Sequence, residues 1–221
     1  MALNKLKFNS INVTPSASEA LKFNSSANGF ETGSAGGAIT FIKKLTASSS
    51  STLSFVDGAS DVVLDNTYKE YLFIFNNIHI QTDQTNFTFN GSIDGGSNYN
   101  ATKTTTFFRA FHTESDGTAN LSYSTGRDLA QSTSFQVLGY NSNNDDDASH
   151  SGKFHLYNPS STTFVKHFMS NMSTIYRSGE PGAYNTYVAG YFNTTSAIDA
   201  IQFKMSSGNI DAGTITLYGI T

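Results

Sequence analysis

From residue 38 to its last residue, the chain is a succession of short apolar runs separated by polar turn residues. Most runs alternate apolar and polar positions over part of their length, and all are rich in Val, Ile, Thr, Tyr and Phe. Turn sequences such as VDGAS, DGGSN, SDGTA and SGEPG lie between them, and the pattern predicts β-strands. The predicted strands cover residues 38–46, 52–56, 71–80, 85–93, 104–112, 134–140, 153–157, 163–172, 183–192, 197–205 and 213–220.

No segment has a sustained helical spacing of apolar residues, so we expect helices to be few and short. Roughly ten to twelve strands at this spacing are typical of an antiparallel sandwich or barrel. The fold class is therefore expected to be all-β.

Residues 1–37 have a different composition from the rest of the chain. They are rich in Asn, Ser and Ala, end in the linker-like sequence ETGSAGG, and contain LKFNS twice, at 6–10 and 21–25. We expect an extended anchoring arm and Gly-rich linker over residues 1–37 and a β-sandwich domain over residues 38–221. The repeat could place Phe8 and Phe23 in equivalent sites on neighbouring subunits or on another surface. The candidate anchoring residues are Leu6, Phe8, Leu21, Phe23 and Phe30.

Composition and charge narrow the classes of partner. Charged residues make up 14% of the chain, against roughly 25% in an average soluble protein. Lys and Arg are scattered and the net charge is −4, whereas a nucleic-acid-binding protein concentrates its cations in a patch, so we expect no nucleic acid partner. The absence of Cys excludes disulfides and thiolate sites and fits synthesis in a reducing cytoplasm. The N-terminal sequence lacks the apolar segment of a secretory signal, and no apolar run approaches the roughly 18 residues of a membrane helix, so we expect no membrane insertion.

The groups that could carry chemistry do not form a known catalytic or metal-binding motif. The five histidines lack the spacing of a metal site, and we expect them to be exposed or hydrogen-bonded residues of strands. Asp145, Asp146 and Asp147 could ligate Ca²⁺, but a run of charges favours a solvated loop tip. The G-x-S-x-G motif is absent. We predict no catalytic residue, no cofactor and no metal.

Four tyrosines near two predicted loops are candidates for binding. Tyr140 precedes the sequence NSNNDDD, and Tyr176, Tyr184 and Tyr187 surround or lie within SGEPGAYNTY. Exposed on loops, these rings could contact a glycan. Aromatic residues are also enriched at protein interfaces, which favours the interpretation that the tyrosines line the sandwich or a contact with a partner.

Two parts of the chain resemble proteins of tailed bacteriophages. The segment ALKFNSSANGFETG (20–33) resembles a short repeat of tail-fibre and other virion proteins. The segments EYLFIFNNIH (70–79), TTTFFRAFH (104–112) and DAGTITLYGI (211–220) are similar to strands of virion-associated β-sandwich proteins of tailed phages, many of them marine. The resemblance covers most of the chain from residue 38. It implies a jelly-roll-like sandwich on the virion exterior, often trimeric, and carries over no catalytic residue.

These observations together predict a virion structural protein rather than an enzyme. We expect a homotrimeric capsid decoration protein that assembles in the host cytoplasm and is held to capsid or tail proteins through residues 1–37. The alternative is a short tail fibre or receptor-binding protein that contacts host-surface glycan. A third hypothesis is a polysaccharide-degrading enzyme, which would need two carboxylates such as Asp128 and Glu180 within roughly 5 to 10 Å of each other.

Overall fold

All regular secondary structure in the described part of the chain is β-strand. The structure, a computed structural model, describes residue 13 and residues 20–33, 38–178 and 180–221. The chain divides into two compact units, Met1–Ala38 and Ile39–Thr221. The strands of the first unit are β1 (Ala20–Phe23) and β2 (Phe30–Gly33). The strands of the second unit are β3 (Ile39–Thr46), β4 (Leu53–Val56), β5 (Glu70–Ile80), β6 (Thr85–Ser92), β7 (Lys103–Thr113), β8 (Ala119–Tyr123), β9 (Gln136–Ser142), β10 (His150–Tyr157), β11 (Lys166–Ser178), β12 (Glu180–Phe192), β13 (Ala200–Met205) and β14 (Ile210–Ile220).

The second unit is an antiparallel β-sandwich, which confirms the all-β class expected from the sequence. One layer has eight strands in the order β3-β14-β5-β10-β11-β12-β7-β8, and the other has four in the order β9-β6-β13-β4. The ladder of paired strands passes from one layer to the other where Tyr176 of β11 pairs with Ser142 of β9. The larger layer is therefore twice as wide as the smaller one.

Each of the predicted runs overlaps one of the strands β3 to β7 and β9 to β14. Strand β11 continues beyond its predicted end at residue 172, because Thr174 and Tyr176 extend its inward-facing series. Strand β8 was not predicted, since its five residues are mostly exposed and pair with β7 alone among the described strands. Within the arm expected over residues 1–37, residues 20–33 form a two-stranded hairpin that the sequence did not predict.

Phenylalanine rings from both layers fill the space between them. The fully buried ring of Phe203 packs against Phe73 and Phe75 of the opposite layer, at centroid distances of 5.4 and 5.1 Å, and against Phe87 of its own layer at 5.8 Å. The pairs between layers are edge-to-face, an arrangement that aromatic quadrupoles favour. Further fully buried rings of this core are Phe55, Phe89, Phe107, Phe154, Phe168 and Phe192.

A buried lysine lies at the rim of this core. Lys103 has no solvent exposure, and its Nζ donates hydrogen bonds to Asn90 Oδ1 at 2.7 Å, to the carbonyl of Ala101 at 3.0 Å and to the carbonyl of Ser134 at 2.7 Å. Among the described residues, no carboxylate lies within ion-pair distance of it. Burial lowers the pKa of Lys103 from 10.5 to about 7.

We expect Phe203→Ala to lower the free energy of unfolding by about 3–5 kcal/mol, because it removes a ring that touches both layers. Urea denaturation followed by circular dichroism measures the change. Phe164→Ala is the control, since Phe164 is 68% exposed, and its effect should stay within about 0.5 kcal/mol. Equal losses in the two variants would contradict the central position of Phe203.

The depressed pKa of Lys103 makes stability depend on pH. Between about pH 7 and 10 the unfolded chain holds a proton on this lysine that the folded chain releases, so the free energy of unfolding should rise with pH in this window. We expect a rise of about 2 kcal/mol between pH 7 and 9. Urea denaturation at pH 7, 8 and 9 measures it.

Two variants isolate the contribution of Lys103. Lys103→Met should flatten the pH dependence, whereas Lys44→Met, which removes an exposed lysine, should leave it in place. An NMR titration of the Lys103 side chain in the unaltered protein reads the same pKa without a substitution. A midpoint above pH 9 would show that Lys103 stays charged in the folded state.

Candidate functional site

Three of the four candidate tyrosines meet at one end of the sandwich. The ring centroids of Tyr176 and Tyr184 are 4.2 Å apart, and Tyr140 lies 6.1 Å from Tyr176 and 6.0 Å from Tyr184. Tyr140 comes from β9, Tyr176 from β11 and Tyr184 from β12, so the cluster joins both layers. Tyr184 is only 5% exposed, which makes it part of the packing of the sandwich rather than of an open rim.

Two arginines lie against this tyrosine cluster. The Cζ atom of Arg109 is 4.9 Å from the ring centroid of Tyr140 and 5.4 Å from that of Tyr184, and the Cζ atom of Arg127 is 4.7 Å from that of Tyr140. Arg127 Nη2 also donates a hydrogen bond to the Tyr140 hydroxyl at 3.3 Å. Burial raises the pKa of Tyr184 to about 12. For Tyr140, burial also raises the pKa, but Arg127 and Arg109 together outweigh it, so the pKa of Tyr140 is lowered.

The fourth tyrosine, Tyr187, is on the opposite face of the eight-stranded layer. Successive residues of a strand point to opposite faces, so the odd-numbered Tyr187 points outward while the even-numbered Tyr184 points inward. On the outer face Tyr187 stacks on Phe108 of β7, with ring centroids 4.8 Å apart and planes 9° from parallel. The four candidates therefore belong to two separate surfaces.

The outer face around Tyr187 carries two neighbouring cavities, of about 400 and 460 Å³. Both are lined by Tyr157 and Met169, and Met169 is 54% exposed. Residues that line one or the other include Lys153, His155, Asn171, Tyr187, Thr104, His167 and Tyr191. Aromatic walls with a few hydrogen-bonding side chains suit a sugar ring or an apolar segment of a protein.

Charge is sparse and partly compensated on this face. The Nδ1 atom of His155 makes a close contact with the Glu70 carboxylate, and neither group is fully exposed. The residues around them are in register across the layer: Phe41 pairs with Tyr218, Tyr218 with Leu72, Leu72 with His155 and His155 with Met169. An apolar row therefore crosses the layer from its β3 edge.

Both edges of the eight-stranded layer expose large apolar side chains. On β3, Ile39 and Phe41 are exposed, and Phe41 is 59% exposed. On β8, Leu121 and Tyr123 are exposed, and Leu121 is 71% exposed. β3 pairs with β14 and β8 pairs with β7, so the outer backbone of each edge strand is unpaired in the described structure.

The hairpin of the first unit presents three of the candidate anchoring residues. Phe23 pairs with Phe30 in the β1–β2 register and their rings stack at 4.9 Å, while Leu21 lies two residues before Phe23 and thus on the same face. All three are exposed. On the other face Lys22 and Glu31 form an ion pair at 3.4 Å. The candidates Leu6 and Phe8 lie outside the described residues.

One cleft holds an arrangement of Ser, Asp and His. Asp211 accepts a hydrogen bond from Ser49 Oγ at 2.9 Å and pairs with His79 Nδ1 at 3.4 Å, and His79 Nε2 lies 3.2 Å from the carbonyl of Asp145. In a catalytic triad the histidine contacts the serine and takes its proton. Here the carboxylate separates the two, so Ser49 is not activated, and the contacts connect β5 and β14 with the loops that contain Ser49 and Asp145.

The remaining titratable candidates are dispersed. His150 is buried, its Nδ1 lies 2.7 Å from Thr174 Oγ1, and burial followed by the neighbouring His79 lowers its pKa to about 3, so it is neutral. Asp128 accepts a hydrogen bond from Tyr123, which pairs with Phe108, whereas Glu180 lies near the Gly182–Thr113 pair. At 3.3 Å per residue these positions are roughly 20 Å apart along the sheet, too far for a pair of glycosidase carboxylates.

The described part of the chain contains neither a metal-binding cluster nor a helix that could span a membrane. No group of three or more His, Asp or Glu side chains there could hold a metal ion. No helix there is long and apolar enough to cross a membrane.

Several residues of the tyrosine cluster and of the outer face were not predicted from the sequence. They include Arg109, Arg127, Tyr157 and Met169. The sequence did contain a pattern that indicates a binding surface on the outer face. Strands β10 and β11 carry apolar or aromatic residues at outward positions as well as at inward ones. For the two arginines no signal existed, because they come from a strand and a loop that only the folded chain brings to Tyr140.

The chain was also compared with known proteins. No protein-family model, curated protein or solved structure matches it.

Proposed function

We propose that this chain is a structural protein on the exterior of a tailed-bacteriophage virion, where it forms a homotrimer that decorates the capsid. The observation that carries the proposal is the exposure of large apolar side chains on both edge strands of the eight-stranded layer, β3 and β8. Placement on a virion rests on the resemblance of residues 20–33 and of strands β5, β7 and β14 to phage proteins.

Exposed apolar edges favour assembly because of their unpaired backbone. Edge strands in monomeric proteins are usually protected by charged residues, proline or a covering loop, since an open apolar edge pairs with other chains. Ile39 and Phe41 on β3, and Leu121 and Tyr123 on β8, are exposed apolar residues of these edges. The charged residues of β3, Lys43 and Lys44, lie in its second half and leave Ile39 and Phe41 unprotected. A partner that covers these edges accounts for their composition.

The two edges are different surfaces, which favours a ring. A contact between the β3 edge of one copy and the β8 edge of the next is head-to-tail, and such contacts generate closed rings when the rotation closes. A two-fold dimer that paired one edge with itself would leave the other edge exposed. A homotrimer closed by head-to-tail contacts covers both edges of every copy.

The size of the outer face of the eight-stranded layer suits contact with a partner protein. Eight strands at about 4.8 Å give a width of roughly 34 Å, and three rows of outward residues give a height of roughly 20 Å. The resulting area of roughly 700 Å² is close to the roughly 800 Å² that each partner contributes to a standard interface. Glu70 and His155 contact each other on this face, whereas the exposed Lys153 has no ion-pair partner among the described residues. A partner that covers the face would have to leave Lys153 at the rim or supply a carboxylate to it.

Attachment to the particle is assigned to the hairpin of residues 20–33. A two-stranded hairpin is at most marginally stable in water, and this one exposes Leu21, Phe23 and Phe30 on one face. An apolar groove on a capsid or tail protein would bury that face and stabilise the hairpin.

A second function is favoured by the cavities around Met169. Tyr157 and Tyr187 supply ring faces there, and Asn171 and Lys153 supply hydrogen-bonding groups. These are the elements of a glycan site. The chain would then be a short tail fibre or receptor-binding protein that contacts host-surface glycan.

We expect Leu121→Lys to convert the trimer to a monomer, because a lysine on an edge strand opposes pairing with another chain. Sedimentation velocity of the full chain at micromolar concentration measures the mass, and circular dichroism checks the fold. Phe164→Lys is the matched control, since it places the same charge at another exposed phenylalanine. The trimer is excluded if the unaltered chain is monomeric at tens of micromolar, and the contact through β8 is excluded if Leu121→Lys stays trimeric.

We expect hundreds of copies of this chain in each purified particle that contains it, as decoration of a capsid requires. Quantitative mass spectrometry against the major capsid protein measures the number. Phe23→Ser should lower it severalfold without changing the trimer, whereas Lys22→Ser, on the opposite face of the hairpin, should not. A dozen copies or so would overturn decoration and support the tail location. Affinity for a host polysaccharide that is lost in Tyr187→Ala would then establish the glycan site.

A further inference from the structure

Two arginines at one end of the sandwich have no carboxylate partner among the described residues. The guanidinium carbons of Arg109 and Arg127 lie 4.9 and 4.7 Å from the ring centroid of Tyr140. No carboxylate of the described residues comes within ion-pair distance of either group. Less than about 10 Å therefore separates two like charges that are both partly removed from water, where their repulsion is stronger than in bulk solvent.

One donor of this pair has no acceptor among the described residues. The Nε–H of Arg109 is shielded from solvent and makes no hydrogen bond there. Buried donors are nearly always paired in native structures, so this unpaired N–H adds to the electrostatic cost of the arginine pair. Arginine presents its donors as a rigid planar fork that matches two oxygen atoms of one anionic group.

The surroundings leave this pair within reach of a ligand. Arg109, Arg127, Tyr140 and Tyr176 are each partly exposed, and the buried Tyr184 closes the site from below. The Tyr140 hydroxyl lies 3.3 Å from Arg127 Nη2 and can itself donate to an anion. The lowered pKa of Tyr140 is consistent with a positive potential at this point.

We propose that Arg109 and Arg127, with the Tyr140 hydroxyl, bind a single oxyanion: a sulfate, phosphate or carboxylate group. The two partly exposed guanidinium groups would supply the charge and the hydrogen-bond donors, and the anion would lower the electrostatic cost of the shielded Arg109 Nε–H without contacting it. Such a group occurs on acidic or sulfated sugars and as a free inorganic ion, and the chemistry of recognition is the same for both. This site stands apart from the proposed function and holds whether or not the chain is a virion protein.

The test is a titration of the full chain with sodium sulfate against sodium chloride at equal ionic strength. Nitrogen-15 NMR of the arginine Nε–H groups reports the site directly, and isothermal calorimetry gives the Kd. We expect saturable binding and a downfield shift of the Arg109 Nε–H. A shift that is absent or does not saturate overturns the proposal.

Two variants separate site binding from general salt effects, because sulfate stabilises folded proteins without a site. Arg127→Gln should weaken sulfate binding at least tenfold, whereas Lys44→Gln removes one exposed positive charge elsewhere and should not. Equal loss in both variants, or in neither, overturns the proposal. The Arg109 signal in the unaltered chain decides the matter if Arg127→Gln does not fold.

Further probes identify the source of the anion. Galacturonate and galactose differ only in the carboxylate, so binding of the first and not the second assigns an acidic sugar. Binding of sulfate and phosphate with no binding of galacturonate assigns an inorganic ion or its ester. Equal binding of galactose and galacturonate would show that the arginines recognise no charge and overturns the site.

Discussion

The packing of phenyl rings around Phe203 is the interaction on which the rest of this structure depends. The chain has no cysteine and few charged residues, so neither disulfides nor extensive ion-pair networks hold the two layers together. Burial of apolar area, at about 25 cal/mol per Å², must supply that stability. Rings packed edge to face set the distance between the layers, and the residues that alternate with them along each strand point outward.

The unequal width of the layers explains where the polar and cationic groups gather. The eight-stranded layer continues past β11 into β12, β7 and β8, whereas β9 is the edge strand of the four-stranded layer. Inward residues at this end, such as Arg109 and Tyr184, therefore meet tyrosines and a loop instead of a second sheet. Nearer the core, where both layers are present, inward polar residues find protein partners: Lys103 donates to three acceptors, and Thr105 donates to Gln136 at 2.5 Å.

The sequence predicted the strands well because burial in a sandwich has a period of two residues. Strand β5 shows why, since Tyr71, Phe73 and Phe75 are all buried while the residues between them are not. Strand β8 was not predicted because its residues are mostly exposed and show no burial pattern. Its strand conformation depends on pairing with β7. The local sequence of a strand also does not predict the layer to which the strand belongs. Strand β6, for example, pairs with β9 and β13, which are both distant in sequence.

The candidate tyrosines illustrate the same limit at the level of the site. Residue type identified Tyr140, Tyr176, Tyr184 and Tyr187 as one group, but the three-residue step from Tyr184 to Tyr187 puts them on opposite faces of a strand. Arg109 and Arg127 come into contact with this tyrosine cluster only in the folded chain. Positions that share a surface are set by register, and register between distant strands has no local signal.

The pairing of β3 with β14 has a consequence for the connectivity of the domain. Ile39 and Ile220 are direct partners in this ladder, so the two ends of the sandwich unit lie side by side, roughly 5 Å apart. Closure of this ladder joins residues more than a hundred positions apart and belongs to the slow, non-local part of folding. The same geometry makes the unit topologically circular: a short linker could join its ends, and a new start could be placed in the exposed turn between β7 and β8, with every strand pair preserved.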